Sequence, residues 1–89
     1  MIVLIDKSFE KDTNIISDKI IRKKIVYCII NVQEAKNIKD IRNIEKLKGF
    51  NIEYRIKVGD YRIWLIIENK KVTFVRFLHR KDIYKYFPK

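Results

Sequence analysis

The sequence predicts an α+β fold in which an N-terminal strand and two helices precede a three-stranded antiparallel meander. Residues 2–5 form a short apolar β-branched run, and residues 18–36 carry apolar side chains at three- and four-residue spacing. From residue 53 onward the spacing of apolar residues changes to two, which is typical of strands. We therefore expect a four-stranded sheet with both helices packed on one face, in a single domain spanning residues 1–89.

The N-terminal half supplies the predicted helices. The run from Ile2 to Ile5 predicts a buried strand, and Ser8 is placed to cap a short helix that extends to about Thr13. The pair Ser17-Asp18 begins the second helix, with the hydroxyl as the cap and the acid facing the positive end of the helix dipole. Residues 37–47 have isoleucines at three-residue spacing and predict a short helical or turn-rich connector. The apolar stripe of the second helix is formed by Ile21, Ile25, Cys28, Ile29 and Val32.

The charge of the chain points to a polyanionic partner. Lys and Arg number 21 against 11 Asp and Glu, which gives a formal net charge of +10. Such a charge raises the local concentration of polyanions, so nucleic acid is the leading partner, ahead of an anionic membrane surface and an acidic protein. A basic surface that serves only solubility is the alternative.

Other features of the composition narrow the location and the chemistry. Cys28 is the one cysteine, so no disulfide forms within the chain, and a lone thiol in an apolar run fits a reducing cytoplasm. Residues 1–7 predict a strand rather than a signal peptide, and no apolar stretch is long enough to cross a bilayer. No metal-ligand spacing is present, and we predict neither a metal nor a cofactor.

The hairpin around Gly59-Asp60 is the most informative stretch. A two-residue loop with Gly first predicts a type II′ turn, which fixes the register of the flanking strands. In that register Lys57 lies opposite Arg62, and Arg55 lies opposite Trp64. Tyr54, Ile56, Val58, Tyr61 and Ile63 then line the face that the helices can cover, and Arg55, Lys57, Arg62 and Trp64 line the other face.

The pairing of Lys57 with Arg62 indicates an anion site. Like charges opposite each other on a ladder destabilise a sheet by up to about 1 kcal/mol. A bound phosphate turns that repulsion into attraction, because Arg offers a planar fork and Lys a compact charge. Trp64 is placed to stack on a base. The alternative is that these long side chains extend from a half-exposed sheet without any ligand.

The third strand and the segment after it add further candidates. His79, the only histidine, is a candidate proton carrier beside Arg80, although a lone His is more often structural. Tyr84 is either a core aromatic or a ring that faces a nucleotide. We predict that Arg76 and Lys81 contact RNA together with Trp64.

Three strings resemble the RelE/ParE superfamily of toxins from type II toxin–antitoxin modules. They are KLKG, YRIKVGDYRI and HRKDIY, and the resemblance is most specific over residues 46–88. It implies a RelE-like fold and a ribosome-dependent mRNA endonuclease of the RelE branch. The catalytic residues that match by motif are Arg55, Lys57, Arg62, Arg80 and Tyr84. The hairpin and the segment between Arg80 and Tyr84 are shorter here than in the best-studied relative.

The implied chemistry is attack of an RNA 2′-hydroxyl on the adjacent phosphate. Arg62 and Arg80 would hold the phosphate, and crowded positive charge would favour the neutral amine of Lys57 as the general base. His79 and Tyr84 remain alternative proton acceptors.

The resemblance also implies partners. These are a cognate antitoxin that wraps the basic surface, the mRNA and the ribosome, and DNA only through the antitoxin complex; no membrane partner is implied. Two other functions stay open, namely a ParE-like poison of DNA gyrase and a non-catalytic module that binds RNA or the ribosome.

Overall fold

The computed structural model describes residues 1–86, without the side chains of Tyr84 and Tyr86. The elements in chain order are β1 (Ile2–Ile5), α1 (Lys7–Asn14), α2 (Lys19–Glu34), a 3-10 turn (Ile38–Asp40), β2 (Ile44–Lys46), β3 (Glu53–Val58), β4 (Tyr61–Glu68), β5 (Lys71–His79) and α3 (Ile83–Tyr86). The strands form one sheet in the order β1-β5-β4-β3-β2. Only the β1–β5 pair is parallel.

The α+β class and the packing of α1 and α2 on one face are as predicted, but the sheet has five strands rather than four. The additional strand is β2, which pairs antiparallel with β3 through Ile44 and Ile56. It lies in the segment where the sequence predicted only a helical or turn-rich connector. A strand of three residues with one apolar side chain shows no alternation, so the sequence pattern did not reveal it.

The first strand is an edge strand and is more exposed than predicted. β1 pairs only with β5, and Ile2 and Leu4 are 56% and 46% exposed. Val3 between them packs against the core. The expectation of a buried strand was therefore wrong, because an edge position leaves the outward-facing side chains uncovered even in a fully apolar run.

Helices α1 and α2 are both capped at their N-termini by aspartates. The carboxylate of Asp6 accepts the N–H of Ser8, so α1 is capped by Asp6 and not by Ser8 as predicted. The carboxylate of Asp18 accepts the N–H groups of Ile20 and Ile21 at 2.8 and 3.2 Å, so α2 is capped by Asp18 and not by Ser17. In each case a carboxylate satisfies the free N–H groups of the first turn and also complements the helix dipole.

Helix α1 covers the part of the β5 edge that β1 leaves open. The Asp12 carboxylate accepts the N–H of Phe77 at 2.9 Å, and the Ser8 hydroxyl donates to the carbonyl of Val75. These bonds replace those that a neighbouring strand would make, so the edge is not left with unpaired backbone groups.

The core lies between the two helices and one face of the sheet, which we name the inner face; the opposite face is the outer face. Phe9 of α1 contacts Phe74 and Phe77 edge-to-face, with ring centroids 5.3 and 6.3 Å apart. The predicted stripe of α2 is confirmed, because all five of its residues are buried in the core or packed against it. A bulge beside Trp64 brings Phe74 and Phe77 to the same face although they are three residues apart. None of the helices described in residues 1–86 is long and apolar enough to span a membrane.

Candidate functional site

The hairpin between β3 and β4 has the predicted register. Lys57 pairs with Arg62, Arg55 pairs with Trp64, and Val58 pairs with Tyr61. Gly59 has a φ of 59°, which an L residue adopts only with strain and which the first position of a type II′ turn requires. The core residues of both strands therefore face α2, and the basic residues lie on the outer face.

Two rows of side chains cross the outer face. The first row runs through Lys57, Arg62 and Leu78, and the second runs through Glu45, Arg55, Trp64 and Arg76. The rows are two residues apart along each strand, which is roughly 7 Å. The cations of the first row lie at the end of the sheet that carries the hairpin turn.

Arg62 is held by the hairpin turn. One terminal nitrogen of its guanidinium donates to the carbonyls of Gly59 at 2.9 Å and Tyr61 at 2.8 Å. The side chain is thereby fixed beside the turn, and its other N–H groups can still donate to an anion. Lys57, directly opposite, is exposed and makes no side-chain hydrogen bond or ion pair with the residues that the structure describes.

A backbone hydrogen bond to the hairpin turn brings Arg80 close to Lys57 and Arg62. Its N–H donates to the carbonyl of Asp60 at 2.8 Å, so the residue that follows β5 is attached to the hairpin turn. Its side chain is 61% exposed, and its Nε lies 4.0 Å from a carboxylate oxygen of Asp60. Three predicted phosphate-binding residues, Lys57, Arg62 and Arg80, therefore meet at one end of the sheet.

Arg55 lies on the same face but is already paired. Its Nε and one terminal nitrogen lie 3.1 and 3.0 Å from the same oxygen of Glu45 on β2. Glu45 is half-exposed, so water screens this pair. Arg55 can exchange the carboxylate for a phosphate only by breaking these bonds.

Arg76 has a different environment from the one predicted. Its guanidinium forms two bonds with the Asp12 carboxylate, at 2.7 and 3.1 Å, and both side chains are largely buried. This pair fastens α1 to β5, which is a structural role. Trp64 lies between Arg55 and Arg76 in the second row and is partly buried.

His79 lies on the inner side of the sheet rather than beside Arg62. It pairs with Tyr61, and the two rings meet edge-to-face with centroids 5.4 Å apart. Its Nδ1 accepts the N–H of Lys81 at 3.1 Å. Lys81 is exposed in the turn before α3, and the side chain of Tyr84 lies outside the described part of the structure.

Two acidic neighbours of the basic residues were missed by sequence reasoning. Glu45 was hidden because its strand was not recognised, and Asp60 was considered only as a turn residue. Both carboxylates could have been expected from the crowding of positive charges on one face, because a nearby negative charge relieves that repulsion. Within residues 1–86 no cluster of three or more His, Cys, Asp or Glu side chains has the arrangement to hold a metal ion.

Known proteins are similar to this chain over nearly its whole length. A family model described as the ParE toxin of the type II toxin–antitoxin system parDE matches residues 3–84. The chain is 42% identical to Toxin RelE3 of Methanocaldococcus jannaschii over 89 residues, covering 99% of this chain and all of the relative.

Solved structures show the same fold. The toxin of a RelB-RelE antitoxin–toxin complex from Methanococcus jannaschii is 40% identical and superposes with a TM-score of 0.80 over 96% of this chain and 99% of that one. An archaeal RelE-RelB complex from Pyrococcus horikoshii superposes with a TM-score of 0.72 at 19% identity, over 89% and 93% of the two chains. The family match spans nearly the whole chain, the identity to a RelE toxin extends from end to end, and the chain therefore belongs to the RelE/ParE superfamily of type II toxin–antitoxin toxins.

Proposed function

We propose that this toxin is an endoribonuclease that cuts mRNA on the ribosome and thereby stops translation. The observation that supports it is the meeting of Lys57, Arg62 and Arg80 at one end of the sheet, beside the hairpin turn. Two of these cations are positioned by the backbone of a single hairpin turn. A site built in this way is suited to a phosphate group, because the Arg62 guanidinium and the Arg80 backbone are positioned before the anion arrives.

In the proposed reaction the 2′-oxygen attacks the adjacent phosphorus and the bond to the 5′-oxygen breaks. Lys57 takes the proton of the 2′-hydroxyl, and the leaving 5′-oxygen receives a proton from solvent. The products are a 2′,3′-cyclic phosphate and a 5′-hydroxyl end. Arg62 and Arg80 stabilise the charge that develops on the phosphoryl oxygens.

The remaining candidates have supporting roles in this proposal. Arg55 binds a neighbouring phosphate after it leaves Glu45, and Trp64 stacks on a base. Tyr84 stays a proposed catalytic residue on the strength of the resemblance alone. Lys57 is preferred to His79 as the proton acceptor, because His79 lies on the other side of the sheet.

We also propose a cognate antitoxin as the partner that keeps the toxin inactive. The support is that the similar toxins from Methanococcus jannaschii and Pyrococcus horikoshii were solved as complexes with RelB. An acidic segment suits a chain of net charge +10. Contact with operator DNA would then come through the antitoxin.

The test is cleavage of an mRNA on programmed ribosomes by purified toxin, with the new 5′ ends mapped. We expect discrete cuts that the double variant Arg62→Ala/Arg80→Ala makes on the order of 10²-fold more slowly or not at all. The matched control is Lys11→Ala/Lys39→Ala, which removes two exposed charges elsewhere. If the double variant folds and cuts like the wild type, the site assignment is wrong.

Poisoning of DNA gyrase is the second candidate, because the matching family model is named for ParE. The two functions damage different nucleic acids when the toxin is induced in cells. Intact mRNA together with DNA damage would establish the gyrase function, and mapped mRNA cuts without DNA damage would establish the endonuclease.

A further inference from the structure

A cleft opens between α2 and the end of β3, around the edge of the sheet from the basic rows. Its volume is about 300 Å³, which lies at the small end of the range for ligand pockets. It is lined by Lys24, Tyr27, Cys28, Asn31, Arg42, Asn43 and residues 56–59. Neither the cleavage site nor the proposed reaction uses the residues of α2 in this cleft.

The charges of the cleft are all of one sign. Lys24, Arg42 and Lys57 line it, and no acidic residue is among the described residues that do. Glu34 lines an adjoining hollow that shares Tyr27, Asn31 and Arg42 with the cleft, and Asp60 follows Gly59 at the hairpin turn. The side chains of Lys24 and Arg42 at one concave site attract an anion more strongly than the same charges spread over a flat surface.

The uncharged side chains of the cleft are of the types that bind nucleic-acid bases. Tyr27 is 69% exposed, so its ring is accessible for stacking, and Ile56 and Val58 give the cleft an apolar side. The Oδ1 atom of Asn31 accepts the N–H of Arg42 at 2.9 Å. That bond fixes the orientation of the Asn31 amide and leaves its NH₂ group to donate to a base edge.

The cleft is continuous with the proposed cleavage site through Lys57. The N–H of Lys57 donates to the carbonyl of Asn43 at 3.3 Å, so its backbone borders the cleft. Its side chain belongs to the row on the outer face that contains Arg62. A strand of RNA that passes over the edge of β3 therefore meets both sites in succession.

We propose that this cleft binds the nucleotide of the RNA next to the scissile bond. The base stacks on Tyr27 and meets the side-chain amide of Asn31, and the phosphate is bound by Lys24 and Arg42. The inference rests on the proposed endonuclease function and adds a subsite that selects the neighbouring base. An acidic peptide would satisfy the cations, but it would have no need of an exposed aromatic ring and an oriented amide.

The first experiment measures the affinity of the full-length protein for a short 2′-O-methyl oligoadenylate and a short 2′-O-methyl oligouridylate, which lack the attacking hydroxyl. Affinity is recorded as a function of salt for Lys24→Gln and for its neighbour Lys23→Gln, which removes an equal charge outside the cleft. We expect Lys24→Gln to reduce the slope of log K against log salt by about 0.7, the value for one phosphate contact on a single strand. Equal slopes for the two variants would overturn the proposal.

The second experiment tests the base contact. Tyr27→Leu should weaken binding roughly tenfold, as expected for loss of one stacked base, and should leave the salt slope unchanged. In NMR spectra the side-chain amide of Asn31 should shift when either oligonucleotide is added. If a Glu/Leu peptide shifts these signals and the oligonucleotides do not, the cleft is a protein-docking site and the proposal is wrong.

The two proposals fail in different ways. If ribosomal mRNA is not cut but the Lys24 and Tyr27 variants weaken RNA binding as stated, the cleavage function is wrong and the cleft is an RNA-binding site without a scissile bond beside it. If mRNA is cut and the Lys24 and Lys23 variants bind RNA alike, the cleavage function stands and the subsite is wrong.

Discussion

The N–H of Arg80 donates to the carbonyl of Asp60 across 2.8 Å, which attaches the residue after β5 to the hairpin turn of β3 and β4. The same turn accepts two bonds from Arg62. The geometry of one two-residue loop thus sets the positions of two arginines that are distant in sequence.

Replacing Gly59 with Ala should lower the free energy of unfolding by about 1–2 kcal/mol. The cause is conformational, because φ at Gly59 is 59° and an added Cβ would meet only the end of the Lys24 side chain, at 4.0 Å. Urea denaturation measures the change. Asp60→Ala is the control in the same loop and should change stability by less than about 0.5 kcal/mol, because its ion pair is exposed. Equal stabilities of the two variants would contradict the assigned turn.

Replacing Asp12 with Asn should destabilise the protein by about 2 kcal/mol or more. The carboxylate accepts two bonds from Arg76 and one from the N–H of Phe77 in a largely buried position. Asn offers a single acceptor oxygen and removes the negative charge that faces the guanidinium of Arg76. Thermal or urea unfolding measures the difference, and Glu10→Gln on the exposed side of the same helix is the control. A loss no larger than that of the control would show that the pair does not fasten α1.

Replacing Glu45 with Gln should tighten RNA binding and change stability by less than about 1 kcal/mol. The substitution releases Arg55 from its ion pair and raises the positive potential of the outer face. Fluorescence anisotropy with a labelled 2′-O-methyl oligonucleotide measures affinity at fixed salt. Glu68→Gln removes an equal charge at the far end of β4 and should have the smaller effect. If both variants gain affinity equally, Arg55 is not a specific phosphate ligand.

Replacing Asp6 with Ala should lower the melting temperature at neutral pH but not in acid. Hydrogen bonds from the Ser8 side chain and the Ser8 N–H hold the pKa of the Asp6 carboxyl below its ordinary value. A carboxyl whose pKa is lowered by folding stabilises the protein above the pKa of the unfolded state. That contribution is lost as the pH falls through the pKa of the folded state. The melting temperatures of wild type and variant should therefore converge as the pH falls below the folded-state pKa of Asp6. A constant difference over that range would mean that the cap does not depend on ionisation.

Substitutions at Lys57 and His79 distinguish the two proton acceptors of the proposed reaction. Lys57→Arg keeps the charge but removes a usable base, so we expect a 10²–10⁴-fold slower cleavage rate with RNA affinity little changed. His79→Gln keeps an acceptor for the Lys81 N–H and should preserve both the rate and its pH dependence. Single-turnover cleavage over a range of pH measures both variants. Loss of the pH dependence of the cleavage rate in His79→Gln would show that His79, and not Lys57, is the proton acceptor.

The sequence was most informative where short-range rules determine the structure. The two-residue loop at Gly59 determined the register of the hairpin, and the spacing of Ile25 and Val32 identified the inner face of α2. Both depend on residues close together in the chain, and both predictions are confirmed.

The contacts that depend on distant residues were not predictable. Asp12 reaches Arg76 from 64 positions away, and this contact gives Arg76 a structural partner where the sequence suggested RNA. Glu45 faces Arg55 through a strand too short to show a pattern. His79 lies on the inner side because the register of β5 pairs it with Tyr61. In each case the partner depends on how strands and helices are assembled, which local patterns do not encode.

The parallel pairing of β1 with β5 has a consequence for synthesis of the toxin. Ile2 pairs on the sheet with Lys71, which is made 69 residues later. Pairing between such distant residues forms late, because the loop between them must close first. During translation β1 cannot pair until β5 has been made, and Arg80 is made later still. A nascent chain therefore lacks the assembled basic site until Arg80 has been made and β5 has joined the sheet.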